Sequence, residues 1–195
     1  SGNEIVNIRD ISTVSLRIAR EIIGCGEFLA EDISKNNGGL LLCGAPISGK
    51  TTVLRDIARL LSTTYNRRVS VVDSRGELSA VKRGIPQLDV GLCDVLSFYP
   101  RALGIEQSVR CLSPEFIICD EIGSLGDADA IITGINSGVN FIATAHASSK
   151  EELLKKINIK NLLDLGAFRN VAFLKGRTSP GEVQKIYEIG EILSA

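Results

Sequence analysis

The residues of this chain whose types and spacing could do chemistry begin at Gly44, where Gly44-Ala45-Pro46-Ile47-Ser48-Gly49-Lys50-Thr51-Thr52 follows the apolar run Leu40-Leu41-Leu42-Cys43. The spacing G-x-x-x-x-G-K-T is that of a phosphate-binding loop. Gly44 and Gly49 let the backbone turn so that successive N–H groups face inward onto the phosphates of ATP, Lys50 reaches the β/γ oxygens, and the Thr51 hydroxyl ligates Mg²⁺. Downstream, Phe116-Ile117-Ile118-Cys119 ends in Asp120-Glu121. An acid closing the strand beside such a loop can hold the same Mg²⁺ as Thr51, and a following Glu can orient or deprotonate water. Two more strand ends carry polar groups. Val69-Ser70-Val71-Val72 leads into Asp73-Ser74-Arg75-Gly76-Glu77, where Asp73 and Glu77 either polarise the attacking water, or hold Mg²⁺ through water, or belong to a plain polar loop. Phe141-Ile142-Ala143-Thr144-Ala145 leads to His146, the single histidine, which is placed either to sense a γ-phosphate or simply to satisfy its own hydrogen bonds.

These residues need elements to position them. Val53, Leu54, Ile57, Leu60 and Leu61 recur at helical spacing, so the phosphates would sit at a helix N-terminus. Strand and helix patterns alternate from residue 40 to residue 145, which predicts an α/β fold with a mostly parallel sheet flanked by helices. Residues 94–97 form a short predicted strand and residues 102–112 a helix, with Arg75 and Arg110 as candidate cations acting within the chain. Residues 127–137 read as a further helix. Ser149 and Glu152 open a capping box for a helix ending near residue 157, and a second short helix covers 162–165. Residues 170–175 and 182–188 read as a terminal β-hairpin. Ahead of the loop, residues 14–23 carry a mostly helical pattern. Arg17 and Arg20 share one face of it, either as solvated surface or as phosphate contacts. Residues 28–33 add helical turns before Asn36-Asn37-Gly38-Gly39 breaks the chain. The division expected is an N-terminal helical linker over 1–37 and an ATPase domain over 38–195.

Composition narrows the classes. The net charge is −1 over 195 residues, so no global electrostatic footprint for nucleic acid exists. Six Phe, three Tyr and no Trp offer little for stacking bases. Five cysteines lack C-x-x-C spacing, which speaks for a reducing compartment and against structural zinc. No apolar run reaches the ~18–20 residues needed to span a bilayer. The chain opens on Ser-Gly and has no Met, which reads as a segment excised from a longer protein.

Taken together, the phosphate loop, the box Val71-Val72-Asp73-Ser74-Arg75-Gly76-Glu77-Leu78, the strand Ser113-Pro114-Glu115-Phe116-Ile117-Ile118-Cys119-Asp120-Glu121-Ile122-Gly123 and Thr144-Ala145-His146-Ala147 resemble the secretion ATPases of type II and type IV systems. Over nearly all its length the chain is similar to the stage III sporulation AA family of endospore-forming bacteria. That resemblance implies a RecA-like P-loop ATPase core in the mother-cell cytoplasm, peripheral to a membrane channel complex of the sporulation apparatus. It also implies self-association into hexameric rings, in which arginines ahead of the core, here Arg17 and Arg20, reach the neighbouring nucleotide. By the same likeness Asp120 and Glu121 serve Mg²⁺ and water, and His146 occupies a histidine box. Ser74 stands where an acid would be expected, which shifts weight to Asp73 and Glu77. The rival classes are a P-loop ATPase acting on single-stranded nucleic acid and a non-hydrolysing nucleotide switch.

Overall fold

The computed structural model describes residue 10, residues 12–14 and residues 21–194. The helix predicted over 14–23 lies mostly outside these residues, as do Arg17 and Arg20; Glu21 and Ile22, which are described, are not helical.

Short, continuously apolar strands form the centre. β1 (Leu40–Cys43), β2 (Val69–Asp73), β4 (Phe116–Cys119) and β6 (Asn170–Leu174) are buried along their whole length, while β3 (Asp94–Ser97) and β7 (Val183–Glu188) are partly exposed. With β5 (Asn140–Ala145) they make one seven-stranded sheet in the order β3-β2-β4-β5-β1-β6-β7. Every neighbouring pair is parallel except β6 with β7. Strands buried on both faces need helices on both faces. Accordingly Leu40 and Leu42 point into one apolar layer with Val53, Leu54, Ile57 and Leu61, and Leu41 and Cys43 point into the other with Ile105, Ile131, Phe141 and Leu162.

The first layer is covered by α1 (Glu27–Asn36) and α2 (Lys50–Thr63). Leu29, Ala30 and Ile33 of α1 share that layer, so this helix packs on the phosphate-loop helix although it precedes the sequence break. Asn37 takes the left-handed conformation, with φ of 47° and ψ of 48°, and closes α1. The second layer is covered by α3 (Arg101–Cys111), α4 (Leu125–Asn136), α5 (Lys150–Leu154), α6 (Ile157–Asp164) and α7 (Ile189–Leu193). Cys43 and Cys119 are fully enclosed, and burial pushes both thiols up to about 12, so they behave as small apolar side chains.

Several expected boundaries move. α4 starts at Leu125 because Ser124 accepts the Asp127 N–H at 3.1 Å while the Asp127 carboxylate accepts the Ser124 N–H at 3.1 Å, a capping box with Asp in place of Glu. The box expected at Ser149 is only half formed: Ser149 accepts the Glu152 N–H at 3.3 Å, but the Glu152 carboxylate takes the N–H of Ser148. That helix ends at Leu154, and the next runs over Ile157–Asp164, not 162–165, because Ile159, Leu162 and Leu163 all turn into the second layer. The hairpin is not the last element. α7 folds back so that Ile192 is buried, and Lys150 ties it down by donating to the Glu191 carbonyl at 2.6 Å.

Gly134 of α4 lies against the ring of Phe141, where an added Cβ would stand 2.5 Å from Cζ. The Gly134→Ala variant is therefore overpacked and loses about 1–3 kcal/mol. Phe141→Leu leaves room for the methyl. In urea unfolding the double variant should lose clearly less than the sum of the two single variants, because the clash and the space occupy the same place.

Candidate functional site

The C-terminal ends of β1, β5, β4 and β2 align. Cys43 pairs with Ala145, Cys119 with Ala143, and Val72 with Cys119. One edge of the sheet therefore carries, in spatial order, the phosphate loop, His146, Asp120 with Glu121, and the Asp73–Glu77 turn.

The loop between β1 and α2 ends at Gly49, whose φ is 89°. A Cβ there would stand 2.5 Å from the Gly181 nitrogen, so only glycine lets the β6–β7 turn close onto the loop, where the Gly181 N–H donates to the Ser48 carbonyl at 2.8 Å. Ala45 and Pro46 lead to Ile47, which stands 61% exposed at the tip. Ser48 is buried below it, and Thr51 and Thr52 open α2 in half-buried positions. The Lys50 side chain is buried and folds over the loop, its ammonium donating to the carbonyls of Gly44 at 2.9 Å and Ala45 at 3.0 Å. The same Nζ lies 3.3 Å from His146 Nδ1.

Beside it the Thr51 hydroxyl donates to Asp120 Oδ2 at 2.7 Å, and the Thr144 hydroxyl donates to Oδ1 of the same carboxylate. Thr144 Oγ1 in turn accepts the Glu121 N–H at 2.8 Å, and the Thr144 carbonyl accepts the Ile122 N–H at 3.0 Å. This anchorage holds Glu121 at a φ of 54°, a left-handed conformation that a residue with a Cβ adopts only when its surroundings impose it. The carboxylate of Glu121 then bridges two elements. One oxygen meets His146 Nε2 at 2.8 Å, and the other is paired with the Arg75 guanidinium. Partial burial works against its charge, but the His146 hydrogen bond and the positive charges of Arg75 and Lys50 outweigh this and hold its carboxyl below the usual range. Lys50, His146, Glu121 and Arg75 thus form one polar chain across the ends of four strands, β1, β5, β4 and β2.

A small open cleft lies at its far end, lined by Asp73, Arg75, Glu77, Arg101, Asp120 and Glu121. Asp73 is committed to its own loop, accepting the Glu77 N–H at 2.9 Å, the Ser79 N–H at 2.9 Å and the Ser79 hydroxyl at 2.6 Å. These bonds compensate the burial of a carboxylate that is 3% exposed. The Glu77 carbonyl receives Arg55 Nη2 at 2.8 Å, which fixes the same turn from α2. The long connection 74–93 is therefore an ordered structure hung on Asp73 and Arg55.

Of the predicted cations, Arg75 is at the site. Arg110 is not: α3 starts at the site edge, so its last turn lies at the opposite end of the sheet. Arg101, at the start of α3, is the arginine that helix direction brings in, paired with Asp127 at 2.8 Å. Thr144 was equally hidden, because a β-branched residue in a buried strand reads as packing.

Thr51 and Asp120 supply a hydroxyl and a carboxylate 2.7 Å apart. No group of three or more His, Cys, Asp or Glu among the described residues could hold a metal by itself. That donor set fits Mg²⁺, which commonly takes one or two protein oxygens and completes its shell with phosphate and water.

β5 lies between the loop strand β1 and β4, so the acid expected on the strand beside the loop stands one strand further away. A mostly parallel sheet with this loop on an interior strand, a polar strand end beside it and acids on the two strands beyond defines a RecA-like P-loop fold. In keeping with it, the structure superposes on the DotB ATPase of Legionella pneumophila with a TM-score of 0.55, over 75% of this chain and 43% of that one at 22% identity. It also superposes on the VirB11 ATPase of the Brucella suis type IV secretion system with a TM-score of 0.58, over 86% of this chain and 53% of that one at 15% identity. At such identities the likeness is one of fold. The family is given by sequence: residues 1–193 match the model described as sporulation stage III, protein AA, and the chain belongs to that family. The stage III sporulation protein AA of Bacillus subtilis (strain 168) is 38% identical over 197 residues, covering 97% of this chain, which spans 64% of that relative's length.

Removing the Thr144 hydroxyl deprives the Glu121 N–H of its acceptor and Asp120 of one donor. Thr144→Val, nearly isosteric, should lower unfolding free energy by about 1–3 kcal/mol. Thr144→Ser, which keeps the hydroxyl, should lose less. Urea unfolding of the two variants measures the difference.

Proposed function

We propose that this chain is a Mg²⁺-dependent ATPase and that, like the motors it resembles in fold, it works as a ring on a membrane complex. The observation that carries the reading is the polar chain from Lys50 through His146 to Glu121, running beside the Thr51–Asp120 pair at the mouth of a phosphate loop. The backbone N–H groups of residues 44–51 and the N-terminus of α2 bind the phosphates. Lys50 transfers its ammonium from the loop carbonyls to the β/γ oxygens. Thr51 and Asp120 hold Mg²⁺, which when bound neutralises charge on those oxygens. Glu121 accepts the proton of the attacking water as the new bond to the γ-phosphorus forms and the bond to the β–γ bridging oxygen breaks, leaving ADP and phosphate. His146 orients Glu121 and registers the γ-phosphate. Glu77 is the acid of the neighbouring turn that supports the water, with Asp73 positioning it.

Family membership supports a role in sporulation; on this reading the chain works in the mother-cell cytoplasm, powering or assembling a channel complex between mother cell and forespore. Among the described residues no helix is long and apolar enough to cross a membrane. Arg17 and Arg20 are proposed to complete the site of the neighbouring subunit, as arginines supplied in trans do elsewhere with gains of ~10³–10⁵ in rate.

Phosphate release tests the chemistry. Lys50→Ala should abolish Mg-ATP binding, whereas Glu121→Gln should bind ATP at least as tightly as wild type while turnover falls by about 10²-fold or more. Single-stranded DNA should leave all rates unchanged. Wild-type binding without turnover at any chain concentration would favour the nucleotide switch, and stimulation by DNA the nucleic-acid reading.

Assembly has its own signature. Turnover per chain should rise with concentration, and Arg17→Ala or Arg20→Ala mixed with Glu121→Gln should regain activity, since one mixed interface unites an intact Glu121 with an intact arginine. Activity per chain that stays flat over a hundredfold dilution would overturn the shared site.

A further inference from the structure

Both oxygens of the Glu121 carboxylate are engaged, by His146 Nε2 at 2.8 Å and by Arg75. With an imidazole on one oxygen and a cation on the other, the carboxylate is fixed in place and is a weaker base toward a water. The two holders differ in how firmly they sit. His146 directly follows β5 and touches buried Lys50, with a side chain 41% exposed, whereas the longer Arg75 side chain is 61% exposed. An ion pair with one end this exposed is screened and weak, and the arginine is its movable member.

The root of Arg75 is nevertheless fixed. Asp73 accepts the Glu77 N–H at 2.9 Å, and its backbone carbonyl accepts the Phe98 N–H at 2.9 Å, so the turn between them is tied down on both sides. Movement is left to the long side chain, which lines the same cleft as Asp120 and Glu121. A guanidinium binds a phosphate through two parallel hydrogen bonds, and a terminal phosphate carries more charge than one carboxylate.

We propose that Arg75 exchanges partners with the nucleotide: a γ-phosphate competes with the Glu121 carboxylate for its guanidinium, so that a triphosphate, and not a diphosphate, releases one Glu121 oxygen toward the attacking water. Arg75 is then a triphosphate-specific contact and a positioning residue for Glu121 within the same chain. The exchange rests on the reading of this site as an ATP site. It also gives the arginine of this acidic turn a role toward the nucleotide.

The test compares Mg-ADP with Mg-AMP-PNP by isothermal titration calorimetry on the wild-type chain, Arg75→Ala and Arg75→Lys. Arg75→Ala should weaken AMP-PNP by about tenfold and leave ADP within about twofold, with Arg75→Lys between, because a lysine keeps the charge and loses the fork. Glu121→Gln removes the competitor and should tighten AMP-PNP, with a smaller gain in the Arg75→Ala background. Equal effects on the two nucleotides, no effect on either, or a Glu121→Gln gain independent of Arg75 would each overturn the exchange. A wild-type chain that binds neither nucleotide would instead overturn the ATP reading itself, and the exchange with it.

Discussion

The Asp120 carboxylate, shared between the hydroxyls of Thr51 and Thr144, is the contact on which the site depends. It ties the first turn of α2 to the ends of β4 and β5, three elements brought together only by strand order. Neither hydroxyl could reach Asp120 if β5 were not between β1 and β4, or if the register slipped by one residue and turned Thr144 to the other face. Burial of Thr144 and the strand ends keeps water from competing, so ordinary hydrogen bonds act as fixed joints.

From that joint the remaining geometry follows in steps. Because Thr144 also accepts the Glu121 N–H, the chain turns sharply after Asp120, and Glu121 leaves the strand sideways, toward His146 and Arg75. The strained backbone at Glu121 is offset by these bonds, which is the usual condition for such conformations at functional sites. Asp127 stabilises the next turn in two ways, by capping α4 and by pairing with Arg101. Loss of Asp127 would thus loosen the floor of the cleft as well as the helix.

The phosphate loop and its strand–helix setting were legible in the sequence because backbone conformation there dictates the residue types: Gly49 at a positive φ has no substitute. The central strands were legible because burial on both faces demands uninterrupted apolar runs. What escaped was decided by tertiary register. Thr144 and Arg101 look like packing and surface residues until strand order and helix direction place them, and Arg110 fails as a site residue for the same reason. Asp73 reads as a free strand-end acid, whereas its oxygens are taken by Glu77 and Ser79, residues whose backbone path no periodicity reveals. The five-residue α7 is too short to leave a helical signature and exists because Ile192 finds a place in the core.

The turn joining β6 to β7, rich in Gly, Ser and Pro, has the composition of a surface connection that tolerates insertions and deletions. Its seat against Gly49, through the Gly181 N–H and the Ser48 carbonyl, withdraws that freedom. With Lys175 and Glu182 joined at its base by a salt bridge of 2.7 Å, the span between the strands and the seat is set by chain length alone. One residue more or fewer would lift the turn off the loop or drive it in. Length variation among homologues should therefore be scarce here, in a stretch whose individual side chains, Arg177 and Thr178 among them, are exposed and open to substitution.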